Sequence, residues 1–451
     1  MNVEARTSET GHPRVVIVGA GFGGLQAALA IGKQQPEVDL TVIDRTNHHL
    51  FQPLLYQVAT AALSPADIST PIRHVLRKQK RTEVIMAEVT GIDIESKRVM
   101  MADNLSIPYN YLIIATGAHE NYFGHQKSWG PLAPGLKSIE DAQAIRNKIL
   151  VAFEQAEIET DPEQQKKLLT FVVVGSGPTG VEMAGSMAEL AYQTLTPEYR
   201  HIDPGMIHII LIEALPKILN AFPEKLARRA KKKLERLGVD VRTNTPLEEI
   251  TKDGVVAGGQ WIASTTIIWT AGVQASPAGQ WLGAETDRAG RAKVMPDLSL
   301  PDYPEVFVLG DTANPSQDGP PLPGVAQVAM QQGRYVASVI KQRISGEPAP
   351  EPFHYHDKGN LATVGRAYAI ASIGPIRISG FIAWIIWLTV HIVYLIGYEN
   401  RTIVLLQWAW SYLLLKRRVR IITRSVRLSP PSDPNHKSIP EKAKIATNPK
   451  Q

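Results

Sequence analysis

Two stretches of the chain repeat one construction, an apolar strand that runs into a glycine-rich turn and then into a helix. The first starts at the apolar run Arg14–Val18 and continues through Gly19-Ala-Gly21-Phe-Gly-Gly24 into an Ala/Leu-rich segment. In such a turn Gly19 permits the tight bend, Gly21 lets the backbone approach a diphosphate, and Gly24 lets the helix pack on the strand. The helix N-terminus then offers free N–H groups and a favourable dipole to an anion.

A carboxylate at the end of the next strand strengthens this interpretation. The apolar run 40–43 ends on Asp44, which follows Gly24 by 20 residues. That spacing is expected for a group that binds ribose hydroxyls. Glycine-rich turns also occur for purely structural reasons, but the strand, the helix and the acid together favour dinucleotide binding.

The same construction recurs further along the chain. Strand 168–174 precedes Gly175-Ser-Gly177-Pro-Thr-Gly180, and the next apolar strand ends on Glu213. Two such turns predict two bound dinucleotides. A carboxylate at position 213 would accept hydrogen bonds from a ribose 2′-hydroxyl and repel a 2′-phosphate, which favours NADH over NADPH. The nearby Lys217 weakens that preference, and the alternative is that Glu213 is a solvated acid at a strand end.

Three further turns carry a resemblance to a known group of flavoproteins. They are Thr116-Gly117, Gly310-Asp311, and Gly272 at the end of a Trp-Thr-Ala-Gly sequence. On these turns the chain resembles the flavoproteins that have two dinucleotide-binding domains. In that group the first turn is where the chain leaves the FAD domain, and the aspartate contacts the ribityl chain of FAD. The resemblance implies an α/β fold with two Rossmann-like dinucleotide-binding domains, the NADH domain being inserted in the FAD domain.

The expected organisation adds a C-terminal α-helical membrane-binding segment to these two domains. The expected boundaries are 13–118 and 296–355 for the two parts of the FAD-binding domain, 119–295 for the NADH-binding domain, 356–427 for the membrane-anchoring region, and 428–451 for a disordered tail.

Within that group the chain is most similar to the type II NADH:quinone oxidoreductases, which are single-chain respiratory dehydrogenases that do not pump protons. The resemblance runs from Pro13 to Arg427 and rests on residues 49–59, 180–182, 326–333 and 357–359. It implies FAD as cofactor, NADH as substrate with NAD as product, and a quinone as the electron acceptor. It also implies four site residues: Glu182 beside the flavin and the nicotinamide, Gln327 and Gln331 on the flavin face that quinone approaches, and Lys358 near the quinone entrance.

The residue chemistry supports part of this assignment. Gln327 and Gln331 are four residues apart, so they share one helix face and offer neutral donors and acceptors to quinone carbonyls. The alternative is that they bond the backbone or the flavin edge. His48 and His49 are adjacent, but no further ligands at zinc-like spacing accompany them. We therefore expect no metal and expect these histidines to pack near the flavin.

The chain contains no cysteine. Disulfide reductases and sulfide:quinone reductases need redox-active cysteines, so this absence excludes both kinds of enzyme, together with cysteine-ligated iron–sulfur clusters. An NADH-dependent ferredoxin or rubredoxin reductase remains an alternative, as does a flavoprotein sensor that binds NADH with little turnover. The paired glutamines and the hydrophobic C-terminal region favour the quinone enzyme over both.

An uncharged stretch of 21 residues extends from Ile378 to Tyr398. As one helix it would be ~31 Å long, enough to cross a bilayer core of ~30 Å, so a single transmembrane helix is one alternative. Amphipathic side chains recur in the stretch at steps of three and four, namely Trp384, Trp387, His391, Tyr394 and Tyr398. This spacing places them on one face, which favours a helix lying at the membrane interface.

A positively charged end follows this stretch. From Lys416 onward there are ten Lys/Arg against two Asp/Glu, in a chain of net charge +5. Four arginines are expected on one helical face beside an apolar face: Arg417, Arg420, Arg424 and Arg427. This pattern indicates binding to anionic membrane lipid rather than to nucleic acid. We therefore expect a peripheral protein on the cytoplasmic side of the cell inner membrane, the soluble alternative being burial of these helices in a homodimer interface.

Overall fold

The computed structural model describes residues 11–34, 37–315, 321–348, 350–395, 401–406, 408, 417 and 419–423. Up to residue 120 the elements are β1 (Arg14–Val18), α1 (Phe22–Gln34), β2 (Asp39–Asp44), β3 (His48–Leu50), α2 (Leu55–Ala59), β4 (Ser69–Pro71), α3 (Ile72–Leu76), β5 (Thr82–Met86), β6 (Val89–Asp93), β7 (Arg98–Met101), β8 (Ser106–Pro108), β9 (Tyr111–Ile114) and β10 (Ala118–Glu120).

The middle of the chain holds a second set of elements. They are α4 (Gln126–Trp129), α5 (Ile139–Ile158), α6 (Pro162–Leu168), β11 (Thr170–Val174), α7 (Pro178–Ala188), β12 (His208–Ile212), α8 (Glu224–Arg236), β13 (Val239–Arg242), β14 (Leu247–Ile250), β15 (Gly254–Ala257), β16 (Gln260–Ala263), β17 (Thr266–Trp269), β18 (Val273–Ala275) and α9 (Ala278–Trp281).

The remaining elements return to the first unit and then form the C-terminal region. They are β19 (Ala292–Lys293), β20 (Val306–Val308), β21 (Ala313–Asn314), α10 (Ala326–Ser345), β22 (Asn360–Thr363), β23 (Ala369–Ile373), β24 (Ile376–Gly380) and α11 (Phe381–Tyr394).

The first unit is built on a parallel five-stranded sheet in the order β20-β9-β1-β2-β5. Strand β1 lies in the middle of this sheet with Val15 to Val18 buried, which explains its apolar sequence, as a central parallel strand requires. Helix α1 lies against α10, and glycines allow the close approach: a Cβ added at Gly333 would lie 2.3 Å from the carbonyl oxygen of Gly23. Because β20 and α10 follow the second unit in sequence, the predicted insertion of one unit in the other is confirmed.

The second unit has a parallel four-stranded sheet in the order β13-β12-β11-β17, with an antiparallel sheet of β14, β15 and β16. Strands β10 and β18 pair antiparallel where the chain passes between the units. Ala278, Leu282 and Ala292 already belong to the core of the first unit. This packing favours a return to the first unit directly after β18, earlier than the expected boundary at residue 295.

The C-terminal region begins with an antiparallel sheet of β22, β23 and β24, which was not expected. The sheet packs on α7 and α8 of the second unit and on α11. Thus the C-terminal region covers the second unit with a sheet before its helix begins.

The prediction of one helix from Ile378 to Tyr398 is wrong. Residues 378–380 belong to β24, and Gly380 turns the chain into α11 with a φ of +100° that disfavours other residues. The helix ends before Leu395, whose backbone is extended (φ −65°, ψ 129°), while Tyr398 lies outside the described residues. Among the described helices, none combines the length and the apolarity needed to cross a membrane.

The face of α11 that carries Trp384, Trp387 and His391 points into the protein. Trp384 and Trp387 are buried in the main hydrophobic core, and the His391 ring stacks on Trp387 at 4.1 Å. The exposed face of α11 carries three aliphatic side chains and one phenyl ring: Phe381 is 60%, Ile382 70%, Ile385 42% and Val393 57% exposed. We call these four residues the apolar stripe.

The predicted arginine face is also wrong for the two arginines that the structure describes. Neither Arg417 nor Arg420 lies in a helix. Arg417 is buried and donates to the Thr60 and Ser186 carbonyl oxygens and to Glu189, while Arg420 pairs with Glu198. Helical periodicity could not reveal that Arg417 has a buried carboxylate partner elsewhere in the chain. Arg424, Arg427 and the tail 428–451 lie outside the described residues.

Candidate functional site

The first glycine turn has the geometry of a ligand cradle. Gly19 has a φ of +96°, and a Cβ added at Gly24 would lie 1.8 Å from the Gly19 carbonyl oxygen. A Cβ added at Gly21, by contrast, would meet no atom of the described protein within 4 Å. Asp44 braces the turn, since its Oδ2 accepts a hydrogen bond from the Ala20 N–H at 2.7 Å. The space above Gly21 lies at the start of α1, where free N–H groups favour an anion.

The second glycine turn repeats the first in detail. Gly175 also has a φ of +96°, and a Cβ added at Gly180 would lie 1.9 Å from the Gly175 carbonyl oxygen. The position of Gly177 is open in the same way as that of Gly21. Gly177 caps α7 without a side chain, so the first N–H groups of that helix have no capping side chain. Both turns therefore fit the diphosphate of a dinucleotide.

Glu213 accepts a hydrogen bond from the backbone of the second turn, as Asp44 does from the first. Its Oε2 accepts hydrogen bonds from the Ser176 N–H at 3.0 Å and from the Ser176 hydroxyl at 2.6 Å. The Lys217 amine donates to the Phe222 carbonyl oxygen at 3.1 Å and thus has a partner away from Glu213. The carboxylate is held at the edge of the cradle, where it can meet the ribose of a bound nucleotide.

The two predicted turns after β9 and β20 meet beside the first cradle. The Gly117 N–H donates to the Thr312 hydroxyl at 3.1 Å, and the Thr116 hydroxyl bonds the Ser276 hydroxyl. Gly117 and Gly310 both have positive φ values, +67° and +71°. Gly272, in the corresponding turn of the second unit, has a φ of +78° and lies under the exposed Phe123 ring.

A cleft opens where these turns meet, lined by Ala118, Gly310, Asp311, Gly324 and Gln332 among others. No described residue donates a hydrogen bond to the Asp311 carboxylate. The Gln332 Oε1 accepts from the Gly310 N–H at 2.6 Å, while its buried Nε2 has no partner among the described residues. An acceptor and a donor are therefore both available to a polar cofactor, which fits the ribityl and diphosphate groups of FAD. Sequence reasoning missed Gln332, although it is the third glutamine of the Ala326–Gly333 motif.

Glu182 lies on the second turn of α7 and is buried beneath the C-terminal sheet. Its Oε1 accepts a hydrogen bond from the Thr363 N–H of β22 at 3.2 Å. Burial raises the pKa of Glu182 to about 8, although the bonds from Thr363 oppose the shift. The carboxyl is consequently neutral over most of the physiological pH range.

Buried polar groups continue from Thr363 toward the C-terminal region. The Thr363 hydroxyl bonds the Tyr56 hydroxyl at 3.1 Å, and the Gln57 amide donates to the same Tyr56 oxygen at 3.0 Å. The Trp408 N–H then donates to the Gln57 Oε1 at 2.7 Å. Tyr56 and Gln57 belong to the motif 49–59, but nothing in that motif indicated their partners.

Gln327 and Gln331 hold one backbone segment by reciprocal hydrogen bonds. Gln327 accepts from the Lys358 N–H and donates to the Gly359 carbonyl oxygen, both at 3.1 Å. Gln331 accepts from the His356 N–H at 3.1 Å and donates to its carbonyl oxygen at 3.0 Å. The alternative that these glutamines bond the backbone thus describes the observed contacts. Their shared helix face serves to fix residues 356–359 on α10.

This fixed segment carries Lys358 toward α11. The Lys358 amine donates to the Tyr394 hydroxyl at 3.1 Å, and Tyr394 is the last residue of α11. Lys358 therefore stands between the glutamine-bearing helix and the helix that presents the apolar stripe.

His49 is buried near the first cradle. Its Nδ1 bonds the Ala20 carbonyl oxygen at 2.9 Å, and the Phe22 ring packs edge-on against it. Burial lowers the pKa of His49, so the ring is neutral at pH 7. Among the described residues, no group of three or more His, Asp or Glu side chains could hold a metal ion.

Comparisons with known proteins agree with this geometry. Residues 13–333 match a family described as pyridine nucleotide-disulphide oxidoreductase. A type II NADH:quinone oxidoreductase of Mycobacterium tuberculosis is 47% identical over 91% of this chain and 90% of that protein. A second protein so named from the same organism is 43% identical over 92% and 90%. A solved structure of NDH2 from Plasmodium falciparum in complex with NADH superposes with a TM-score of 0.82 at 21% identity, covering 90% of this chain and 99% of that one.

Proposed function

The chain belongs to the pyridine nucleotide-disulphide oxidoreductase family and within it to the type II NADH:quinone oxidoreductases, and on this premise we propose how its residues divide the reaction. The enzyme oxidises NADH with a quinone, giving NAD and quinol with uptake of one proton. The observation that carries the proposal is the duplication of the cradle, since two dinucleotides are needed. The chain has no cysteine, so the disulfide chemistry in the family's description has no counterpart here.

The first cradle is proposed to hold FAD. The turn from Gly19 to Gly24 receives the diphosphate, Asp44 receives a ribose, and Asp311 and Gln332 receive the ribityl chain. When bound, FAD supplies a carrier that takes two electrons from a nicotinamide and gives them to a quinone. The protein contributes position and exclusion of water.

The second cradle is proposed to hold NADH. Gly177 leaves room for the diphosphate at the start of α7, and Glu213 receives the adenosine ribose. Glu182 follows on the same helix, and we assign it to the nicotinamide side of the cradle, as the family resemblance implies. As a neutral acid under the C-terminal sheet, it adds no charge beside the hydride donor and can hold a proton there.

The quinone is proposed to approach between α10 and α11. Gln327 and Gln331 fix the segment that carries Lys358, and Lys358 contacts Tyr394 at the end of α11. A Lys358 cation at this place stabilises the negative charge that develops on a quinone oxygen during reduction. Gln327 and Gln331 act indirectly, because their hydrogen bonds position the backbone of residues 356–359.

An absorption experiment tests the assignment. The purified protein is expected to carry flavin absorbance that NADH bleaches and added quinone restores, because both partners react through the same cofactor. Absence of flavin absorbance would contradict the proposal. Bleaching by NADH with reoxidation by an iron–sulfur protein but not by quinone would favour the ferredoxin-reductase alternative.

The apolar stripe is proposed to lie in a membrane, on the cytoplasmic side of the inner membrane where NADH is available. A soluble protein rarely leaves four such side chains exposed along one helix without a partner, and quinones with long tails reside in lipid. The helical residues 401–406 add exposed Ile403, Leu405 and Leu406. The other candidate occupant of the stripe is a second copy of the chain.

Charged substitutions in the apolar stripe distinguish a membrane from a second copy of the chain as the partner of this surface. Ile382→Glu with Ile385→Glu should release the protein from membranes, yet leave the reduction of small soluble acceptors intact. Trp261→Glu is the control, because Trp261 is 53% exposed on β16 in the second unit. If the double variant stays on membranes but changes from dimer to monomer, the stripe is a homodimer interface.

A further inference from the structure

Helix α8 carries positive charge on the flank that faces the C-terminal region. Its buried side is formed by Leu226, Ala227, Ala230 and Leu234. At about 100° per residue, Lys225, Arg229, Lys233 and Arg236 fall along one flank of the exposed surface. We call these four residues the basic flank.

The two acids of α8 lie on the opposite flank, where they neutralise part of the charge. Arg228 pairs with Glu224, and Lys231 pairs with Glu235, each four residues along the helix. No residue of the basic flank has a salt bridge among the described residues. The positive charge of α8 is therefore concentrated on one side.

The basic flank adjoins the apolar stripe directly. Arg229 donates to the Ser379 hydroxyl at 2.9 Å, and Ser379 precedes the exposed Phe381 by two residues. Lys233 lies over the ring of Tyr368, just before β23 of the C-terminal sheet. Arg377, exposed on the same strand as Ser379, extends the positive charge along the sheet. A band of cations thus runs along the edge from which the apolar stripe projects.

We propose that the basic flank is a binding site for anionic lipid headgroups and forms the second half of a membrane footprint. The inference rests on the proposed insertion of the apolar stripe. A helix that enters the acyl boundary brings its neighbours to headgroup level, and cations there are attracted to anionic lipid. The lipid contact expected of Arg417 is thereby assigned to a helix of the second unit, because Arg417 itself is buried in an ion pair.

Vesicle flotation of the full-length protein tests the proposal. The probes are vesicles of phosphatidylcholine alone and of phosphatidylcholine with phosphatidylglycerol. The pair Arg229→Gln with Lys233→Gln should bind the anionic vesicles roughly twenty-fivefold more weakly than the parent, at about fivefold per lost charge. Raising the salt concentration should reduce the difference between parent and variant in affinity for anionic vesicles, because salt screens the charges. Binding to neutral vesicles, which reports the apolar stripe, should be unchanged.

Two matched variants control for net charge and for folding. Arg228→Gln with Lys231→Gln removes the same charge from the opposite flank and should leave anionic binding near that of the parent. Arg229→Lys with Lys233→Arg preserves the charge and should bind as the parent does. Equal weakening by both Gln pairs, or none by the first, would overturn the proposal.

The remaining outcomes test the basic flank and the apolar stripe independently of each other. A parent that binds neutral and anionic vesicles equally would overturn the basic flank alone. A parent that binds neither would overturn the apolar stripe as well. Binding of RNA that is lost with Arg229→Gln and Lys233→Gln, while vesicle affinity stays unchanged, would reassign the flank to nucleic acid.

Discussion

Glu182 illustrates how burial changes the chemistry of a single residue. The unfolded carboxyl titrates near its ordinary value of 4.5, whereas the folded pKa is about 8. Between these values the folded protein keeps a proton that the unfolded chain has lost. The free energy of unfolding therefore falls as pH rises through this window and levels off above pH 8.

The variant Glu182→Gln should remove this dependence, because an amide does not titrate. Relative to the variant, the parent should lose up to about 1.4 kcal/mol per pH unit between pH 5 and pH 8. Thermal unfolding of both proteins from pH 5 to pH 9 measures the difference. A parallel course of the two curves would mean that Glu182 ionises normally in the folded protein.

We propose that the preference for NADH over NADPH depends on the Glu213 carboxylate at a strand end. Glu213→Arg should raise the KM for NADH and lower that for NADPH, since the new cation attracts a 2′-phosphate. Because Glu213 also accepts from Ser176, Glu213→Gln serves as control: it removes the charge and keeps an acceptor for the turn. Steady-state kinetics with both nucleotides provide the measurement. Unchanged kinetics in the Arg variant would show that another residue discriminates.

Local residue patterns predicted the acids at the strand ends but not the contacts of two buried polar residues elsewhere in the chain. Asp44 and Glu213 were identified from strand ends and glycine spacing, which are short-range features of the sequence. Gln332 was not identified and Arg417 was assigned to a lipid-binding helix face, because their contacts depend on Gly310 and Glu189, which are distant in the chain. Hydrogen bonds of that range follow from the tertiary fold alone.

At the scale of elements, strands were predicted correctly where the apolar pattern lies within one short segment of the sequence. Strand β1 has the predicted bounds, and β11 starts two residues later than expected because α6 extends to Leu168. The C-terminal sheet was missed since the long uncharged run suggested a helix. Pairing of β23 with β24 uses part of that run, and Gly380 separates the strand from α11.

Arg417 holds the described residues near position 420 against the rest of the protein through a buried ion pair with Glu189. Arg417→Gln should lower the free energy of unfolding by about 3–5 kcal/mol, because it leaves Glu189 buried without its cation. Arg420→Gln is the matched control, since the Arg420–Glu198 pair is more exposed and should contribute about 1 kcal/mol or less. Chemical denaturation compares the two. Equal effects would contradict the docking role, as would salt-sensitive membrane release by Arg417→Gln without loss of stability.

At the scale of the whole molecule, the repeated cradles divide one reaction between two units. The resemblance to two-domain flavoproteins predicted this division, and the insertion of the second unit follows from β20 and α10 returning to the first. The relation of the C-terminal sheet to Glu182 was not predictable, because it brings together residues 182 and 363. The C-terminal sheet packs on α7, the helix that follows the second glycine turn.

Alanine at the open glycines should separate the two cradles by function. A Cβ at Gly21 or Gly177 meets no described protein atom within 4 Å, so neither variant should alter the stability of the flavin-free protein. The added methyl instead occupies space assigned to a diphosphate. Gly21→Ala should lose flavin during purification, whereas Gly177→Ala should retain flavin and show at least about a tenfold rise in KM for NADH, equivalent to about 1.4 kcal/mol of binding.

Gly24→Ala and Gly180→Ala provide the contrast within each cradle. In these variants the methyl would meet the carbonyl oxygen of Gly19 or Gly175 at less than 2 Å, so stability should fall along with ligand binding. Flavin absorbance, NADH kinetics and thermal unfolding of all four variants complete the test. If Gly177→Ala lost flavin while Gly21→Ala retained it, the assignment of FAD to the first cradle and NADH to the second would be reversed. If both open-glycine variants kept normal flavin and normal KM, neither turn would hold a diphosphate.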